Sequence, residues 1–379
     1  MSSEAKLEKL LISEFHFDSK EFALRTESDA DIVVTIKSEI RLEGIVNGLP
    51  KTVNVKLDSS EYLVYRFVNP YLNAQNDSFR LKYLGYTIGY AFPSASIEDF
   101  DDDFDVFKQA YKYYCAKLII ENHDFYLDEI SDDGNLKLSD ILDENSVYFI
   151  IFKKSIKDDT FNLENCLPSL ALKGYYLYSN EVVPNILNIL DSHSESEDLN
   201  TLLELHYHSQ RAEESIQIHK STNIEENLLI RLLYKKLLIE NSNPIYRFLV
   251  LYQVIEFLVE KNKRLSINNI FDEKDSLNNY DFFDKISKAN NTRAIINKLL
   301  QPLTFDSKAL ITQSLLQFIY ISIDSYPKTT IGDCLYDIRN LLFHDYKNVM
   351  EVYSEDSVLG LVIQCEIIIH NLINLSELN

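Results

Sequence analysis

Eight residues near the C-terminus, Asp337-Ile338-Arg339-Asn340-Leu341-Leu342-Phe343-His344, put an arginine, an amide and an imidazole into one otherwise apolar run. In a helix, Asn340 and His344 are four apart and share a face, and Arg339 lies about 100° to one side with a side chain long enough to bend toward the same edge. A guanidinium fork binds a phosphate bidentately. An imidazole exchanges a proton near neutral pH, and an amide can fix either the imidazole or the phosphate. These are the groups that in-line cleavage of RNA requires without a metal. A base takes the proton of a 2′-hydroxyl, an acid protonates the leaving 5′-oxygen, and a cation offsets the charge that builds on the phosphate. One helix supplies one histidine, so the chemistry predicts a homodimer in which two such helices face each other across a two-fold axis. The structural alternative is that Arg339 and His344 pair with the flanking Asp337 or Asp345.

The elements that must position this stretch read as helices. From residue 225 the apolar spacing is three and four almost throughout. Residues 225–240, 244–263, 281–300, 306–324, 331–346 and 355–376 are the expected helices, which makes an up-and-down bundle with the motif on the penultimate one. Pro244 sits where a first helical turn accepts it, after Ser242 and Asn243 as candidate caps. Residues 244–263 are apolar on most faces and should lie centrally. Glu256 within them is a candidate to orient Arg339 from behind, with an exposed position as the alternative. Lys288, Arg293 and Lys298 make the 281–300 segment locally basic and are candidate contacts to an RNA backbone, although their i, i+5, i+10 spacing does not form one stripe. His370 in the last helix reads as structural or surface.

The first half is different. Residues 32–36 and 39–46 are strand-like, Asn47-Gly48-Leu49-Pro50 is a turn signal, and residues 52–57 alternate as the return strand of a hairpin. Residues 62–68 and 147–152 are further strands, 79–92 one kinked strand with Gly85 and Gly89, 104–120 a helix, and 173–183 a last strand. Residues 4–15 suit a short helix or the start of a strand. Asp132-Asp133-Gly134-Asn135 is a turn and does not follow calcium-loop spacing. The expected class is therefore an α+β, strand-rich N-terminal domain over residues 1–195, a connecting segment over 196–224 that follows the polar run 191–200, and an all-α bundle over 225–379.

Composition bounds the rest. The chain has 379 residues, 46% hydrophobic and 25% charged, with a formal net charge of −22. Residues 1–224 hold 21 basic and 39 acidic residues, and residues 225–379 hold 16 and 20. So acidic a first half disfavours loose binding of nucleic acid, which needs cations against phosphate, and leaves room for a local basic site in the second half. Its acidity suits solubility or a basic protein partner. An acidic mimic that titrates such a partner is a third, weaker reading. The four cysteines, Cys115, Cys166, Cys334 and Cys365, have no close pairing and read as reduced thiols. His206 and His208 are two apart, which points them to different faces of a helix, so surface histidines are preferred to metal ligands. With no signal peptide visible and no apolar stretch near the length that spans a bilayer, the expected location is cytoplasmic. No cofactor and no membrane partner are expected.

Arg339-Asn340-x-x-x-His344 in a short helical C-terminal domain resembles the HEPN superfamily (higher eukaryotes and prokaryotes nucleotide-binding), whose ribonuclease members carry R-N-x3-H or R-x4–6-H. The helix from Tyr246 to Phe257 looks like the early helix of the ApeA-like HEPN branch. The resemblance covers about residues 220–379; the first half matches only loosely the variable sensor domains of such proteins. It implies a HEPN-type bundle, a metal-independent endoribonuclease acting as a dimer on tRNA or another translation RNA, and catalytic roles for Arg339, Asn340 and His344. It also implies a toxin or anti-phage effector restrained or triggered through its first domain, by a phage-derived trigger or a protein partner. A non-catalytic HEPN scaffold that binds a nucleotide or a partner is the alternative.

Overall fold

A computed structural model describes residues 8–16, 21–26, 32–37, 39–46, 49–56, 59–71, 78–100, 106–122, 136–138, 141–143, 145–179, 182–190, 203, 207, 215–301, 330–344, 347, 351 and 355–375. The turn expected at 132–135, the polar run 191–200, His206, His208, the helix expected at 306–324 and Asp345 lie outside these residues. A strand-rich N-terminal region is followed by a helical C-terminal region, as the change in periodicity predicts. The chain forms two compact units that interleave along the sequence. The first comprises Met1–Phe161, Gly174–Asn180 and Gln210–His219, and the second Asn162–Lys173, Glu181–Ser209 and Lys220–Asn379.

In the first unit, strands β1 (Glu8–His16), β2 (Glu21–Thr26) and β3 (Ile32–Ile36) form an antiparallel sheet. Two short strands, β9 (Asp99–Phe100) and β10 (Leu136–Lys137), pair with β1. Of the segment at 4–15, the described residues, from Glu8 on, are strand. β4 (Glu39–Val46) and β5 (Leu49–Lys56) are the expected hairpin, in register from Glu39↔Lys56 to Val46↔Leu49. A second sheet has the order β12-β6-β11-β8-β7-β13. Its members are β6 (Tyr62–Val68), β7 (Phe79–Tyr83), β8 (Tyr86–Pro93), β11 (Ser146–Phe152), β12 (Tyr176–Tyr178) and β13 (Ser215–Ile218). β13 runs parallel to β7, and the other pairs are antiparallel.

Residues 79–92 are two strands rather than one kinked strand. Leu84 (φ 50°) and Gly85 (φ 80°) both take left-handed backbone, which closes a two-residue hairpin that suits the twist of its flanking strands. Gly89 has another role: a Cβ there would collide with the carbonyl of Ile150 on β11, so only glycine lets β8 approach that closely. The short helix α1 (Ser94–Glu98) follows β8. Helix α2 (Val106–Asn122) packs against β3, β4 and β5 and against β8 and β11. Tyr113, Tyr114 and Cys115 of α2 are buried together with Leu24, Ile36, Ile40, Phe92 and Ile150, and this is the core of the unit.

In the second unit, α3 (Leu167–Ala171), α4 (Thr222–Glu226) and α5 (Leu228–Leu232) precede one π-helical turn, Leu233–Leu237. Helix α6 (Pro244–Asp272) is the long central element. Asn243 caps it, its side chain accepting from the backbone N–H of Tyr246 at 3.0 Å, with Pro244 in the first turn. It runs nine residues past the expected end at 263, where the apolar pattern thins. α6 contacts α7 (Asn279–Ala289), α8 (Thr292–Leu299), α9 (Ile331–His344) and α10 (Glu355–Leu375). The helix expected at 281–300 is broken in two, because the Asn291 side chain accepts from the Ala294 N–H and restarts the chain as α8.

Two opposite charges fix α6 to α10. The side chains of Arg247 and Glu366 are fully buried, Nε and Nη2 of the arginine lie 2.7 and 2.6 Å from Oε1 of the glutamate, and Nη1 donates to the carbonyls of Leu238 and Asn241. On α10, Asp356–Asn374 has a mean hydropathy of 1.5, so one segment does reach the length and apolarity of a membrane span, contrary to the expectation from the sequence. Most of it is buried within the fold, as in a core helix. His370 is buried there too, with Nδ1 2.6 Å from the hydroxyl of Tyr234.

Candidate active site

α9 begins with a reciprocal cap. Thr330 Oγ1 donates to Asp333 Oδ2 at 2.6 Å and accepts from the Asp333 N–H at 3.3 Å. Within the same first turn, the Gly332 N–H donates to Asn297 Oδ1 at 3.1 Å, and a Cβ at Gly332 would collide with that oxygen, so the glycine lets α9 sit directly on α8. Ile331, Cys334, Leu335, Ile338 and Leu342 form the buried stripe. This stripe fixes the rotation of the helix, and the adjacent edge is then Tyr336, Arg339, Asn340, Phe343 and His344, at i, i+3, i+4, i+7 and i+8.

Arg339, Asn340 and His344 therefore share one edge. Arg339 and Asn340 are half-buried and His344 is exposed. The guanidinium of Arg339 has a fixed setting. Nη1 donates to Asn340 Oδ1 at 3.1 Å, Nη2 lies 3.4 Å from Glu256 Oε1 on α6, and Cζ stands 5.0 Å from the ring centre of Phe343 and 6.0 Å from that of Tyr252. The His344 ring meets Phe343 edge-on with centroids 5.2 Å apart. Glu256 is thus exposed and also adjacent to Arg339. Tyr252 is buried beneath, and its phenol is pushed well above the usual range by burial first and by the Glu256 carboxylate second, with Arg339 acting the other way.

Asp337 is tied to α8. It accepts from Arg293 Nη2 at 2.6 Å, and Arg293 also lies 3.8 Å from Asp333 and 4.7 Å over the ring of Tyr336. With two carboxylates and an aromatic face around it, the Arg293 cation is largely neutralised toward a phosphate. Lys288 is exposed on α7 and bound to Asp284 at 2.7 Å, a hydrogen bond that raises its ammonium pKa. Lys298 is exposed on α8. Among the described residues no hydrogen bond or ion pair joins Lys288, Arg293 or Lys298 to Arg339, Asn340 or His344. Among them, too, no three His, Cys, Asp or Glu side chains cluster as metal ligands would.

Two neighbours of the site were not singled out from the sequence. Phe343 lies inside the quoted motif, and the signal for its exposure is that it falls off the 331/334/335/338/342 stripe. Tyr252 is four residues before Glu256 on α6, so once Glu256 is placed the helical period puts Tyr252 near it. A scan against protein-family models finds no match, and neither a search of curated proteins nor one of solved structures returns one.

Proposed function

We propose that the helical unit is a HEPN-type endoribonuclease that cleaves RNA by attack of a 2′-hydroxyl and works as a homodimer. The observation that carries this reading is the one edge of α9 on which Arg339, Asn340 and His344 stand together, with the Arg339 guanidinium held by Asn340 and Glu256. In the reaction, His344 of one protomer removes the 2′-hydroxyl proton, and O2′ bonds to phosphorus as the P–O5′ bond breaks. His344 of the other protomer protonates O5′. Arg339 offsets the charge on the non-bridging oxygens. The products are a 2′,3′-cyclic phosphate and a 5′-hydroxyl. No step requires a cofactor. The biological setting that fits is a cytoplasmic toxin or anti-phage effector acting on tRNA or another translation RNA, with the strand-rich unit sensing a trigger or partner.

Glu256 favours one alternative. A carboxylate next to Arg339 competes with a phosphate for the same cation, as it would in a non-catalytic scaffold that binds a nucleotide or a protein. Expression of the parent, Arg339→Ala and His344→Ala proteins in bacteria, with sequencing of RNA ends, separates the two. The expected result is cyclic-phosphate ends for the parent alone. Equal cleavage by the parent and both variants removes the catalytic assignment, and intact RNA in all three supports the scaffold.

A further inference from the structure

We infer that Phe343 is a stacking platform for a nucleobase, an inference that rests on the ribonuclease reading of the same helix edge. A single exposed apolar residue is ordinary on a protein surface and by itself means nothing. Phe343 is distinguished by its company. It is 59% exposed on a helix whose other apolar anchors, Ile331, Leu335, Ile338 and Leu342, are all buried. Its ring carries the Arg339 guanidinium 5.0 Å from its centre and touches the His344 ring edge-on. With both contacts made, more than half of Phe343 is still exposed, and Arg339 and His344, two of the three candidate reacting groups, flank it in sequence at i−4 and i+1.

The geometry matches one nucleotide. Four residues of helix rise about 6 Å, so a phosphate held by Arg339 and His344 has its attached base within reach of the Phe343 ring. Aromatic side chains beside cations bind single-stranded nucleic acid in this way, the cation taking the backbone and the ring taking the base. Inside a duplex each base is already stacked on both faces, so the platform selects loops, bulges and ends. Because every base has a π-face, the ring itself reads little sequence.

The test uses the full-length protein and a short RNA strand whose 2′-hydroxyls are replaced by fluorine, so that no attacking group is present. One 2-aminopurine, whose fluorescence is quenched on stacking, is moved along the strand. The expected result is quenching at one position with the parent, loss of that quenching with Phe343→Ala together with binding weaker by about 5- to 150-fold, and retention with Phe343→Trp. The same strand in a duplex should bind more weakly and show no protein-dependent quenching. Quenching that survives Phe343→Ala, a duplex bound as tightly as the strand, or no binding by the parent overturns the inference. Cleavage of ordinary RNA by the parent, Arg339→Ala and His344→Ala proteins is run alongside. If all three cleave alike, the ribonuclease assignment fails while the quenching result still decides the role of Phe343. If only the parent cleaves and Phe343→Ala matches it in binding and quenching, the stacking role fails alone.

Discussion

Replacing Glu366 by Leu should cost the helical unit about 3–5 kcal/mol, the usual penalty for removing one partner of a buried ion pair. The structure says why the cost falls at the high end of what a single substitution does. Arg247 and Glu366 are both 0% exposed, and Oε1 of the glutamate takes two of the guanidinium nitrogens, at 2.7 and 2.6 Å. Without the carboxylate the arginine keeps the carbonyls of Leu238 and Asn241, which offer dipoles but no countercharge. For a unit of this size a kilocalorie is worth about 2–4 °C, so the midpoint should fall by about 6–20 °C. The chain has no Trp, so the far-ultraviolet helical signal during urea or thermal unfolding is the measurement. Arg247→Met combined with Glu366→Leu should recover most of the loss, because apolar side chains of similar volume replace a buried pair at little net cost. Two results would refute the reasoning: a cost under about 1 kcal/mol for Glu366→Leu, or a double variant as unstable as the two single variants added together.

Three further outcomes are expected. Gly89→Ala should destabilise the strand-rich unit by about 1–3 kcal/mol or more, since its Cβ meets backbone and not a movable side chain; an unchanged urea midpoint would contradict the β8–β11 register. All four cysteines are buried, and burial pushes the thiols of Cys115 and Cys365 far up, so a thiol-disulfide reagent should label none in the native protein and all four in urea. Tyr234 and Tyr252 have phenols raised by burial first and by Glu366 and Glu256 second. Their unfolded forms lose the proton first, near pH 10, so stability should hold below about pH 10 and fall as pH rises beyond it. In Tyr252→Phe the fall in the urea midpoint between pH 8 and alkaline pH should be smaller.

What could be read in the sequence was whatever the chain encodes over one or two turns. The period of 3.6 residues puts Arg339, Asn340 and His344 on one edge of α9 wherever that helix sits, and Asn243-Pro244 starts α6 through its own dihedral and capping preferences. Period-two alternation gives the β4–β5 hairpin for the same local reason. Left-handed backbone at Leu84 was not legible, because leucine carries no such preference, and the single strand expected at 79–92 became a hairpin. The cap at Asn291 was local too, but the continuous apolar spacing on both sides of it read as one helix. Pairing across the fold was left to the tertiary structure. Glu256 meets Arg339 from 83 residues away, Arg247 meets Glu366 from 119, and Arg293 turns to Asp337 because α8 packs on α9. A buried or half-buried charge takes whichever partner packing brings within about 4 Å, and no local pattern records that distance. The sequence thus determined which groups share that edge of α9. Only the tertiary structure decided which of them is held by a carboxylate, which is neutralised and which aromatic ring is left open beside them.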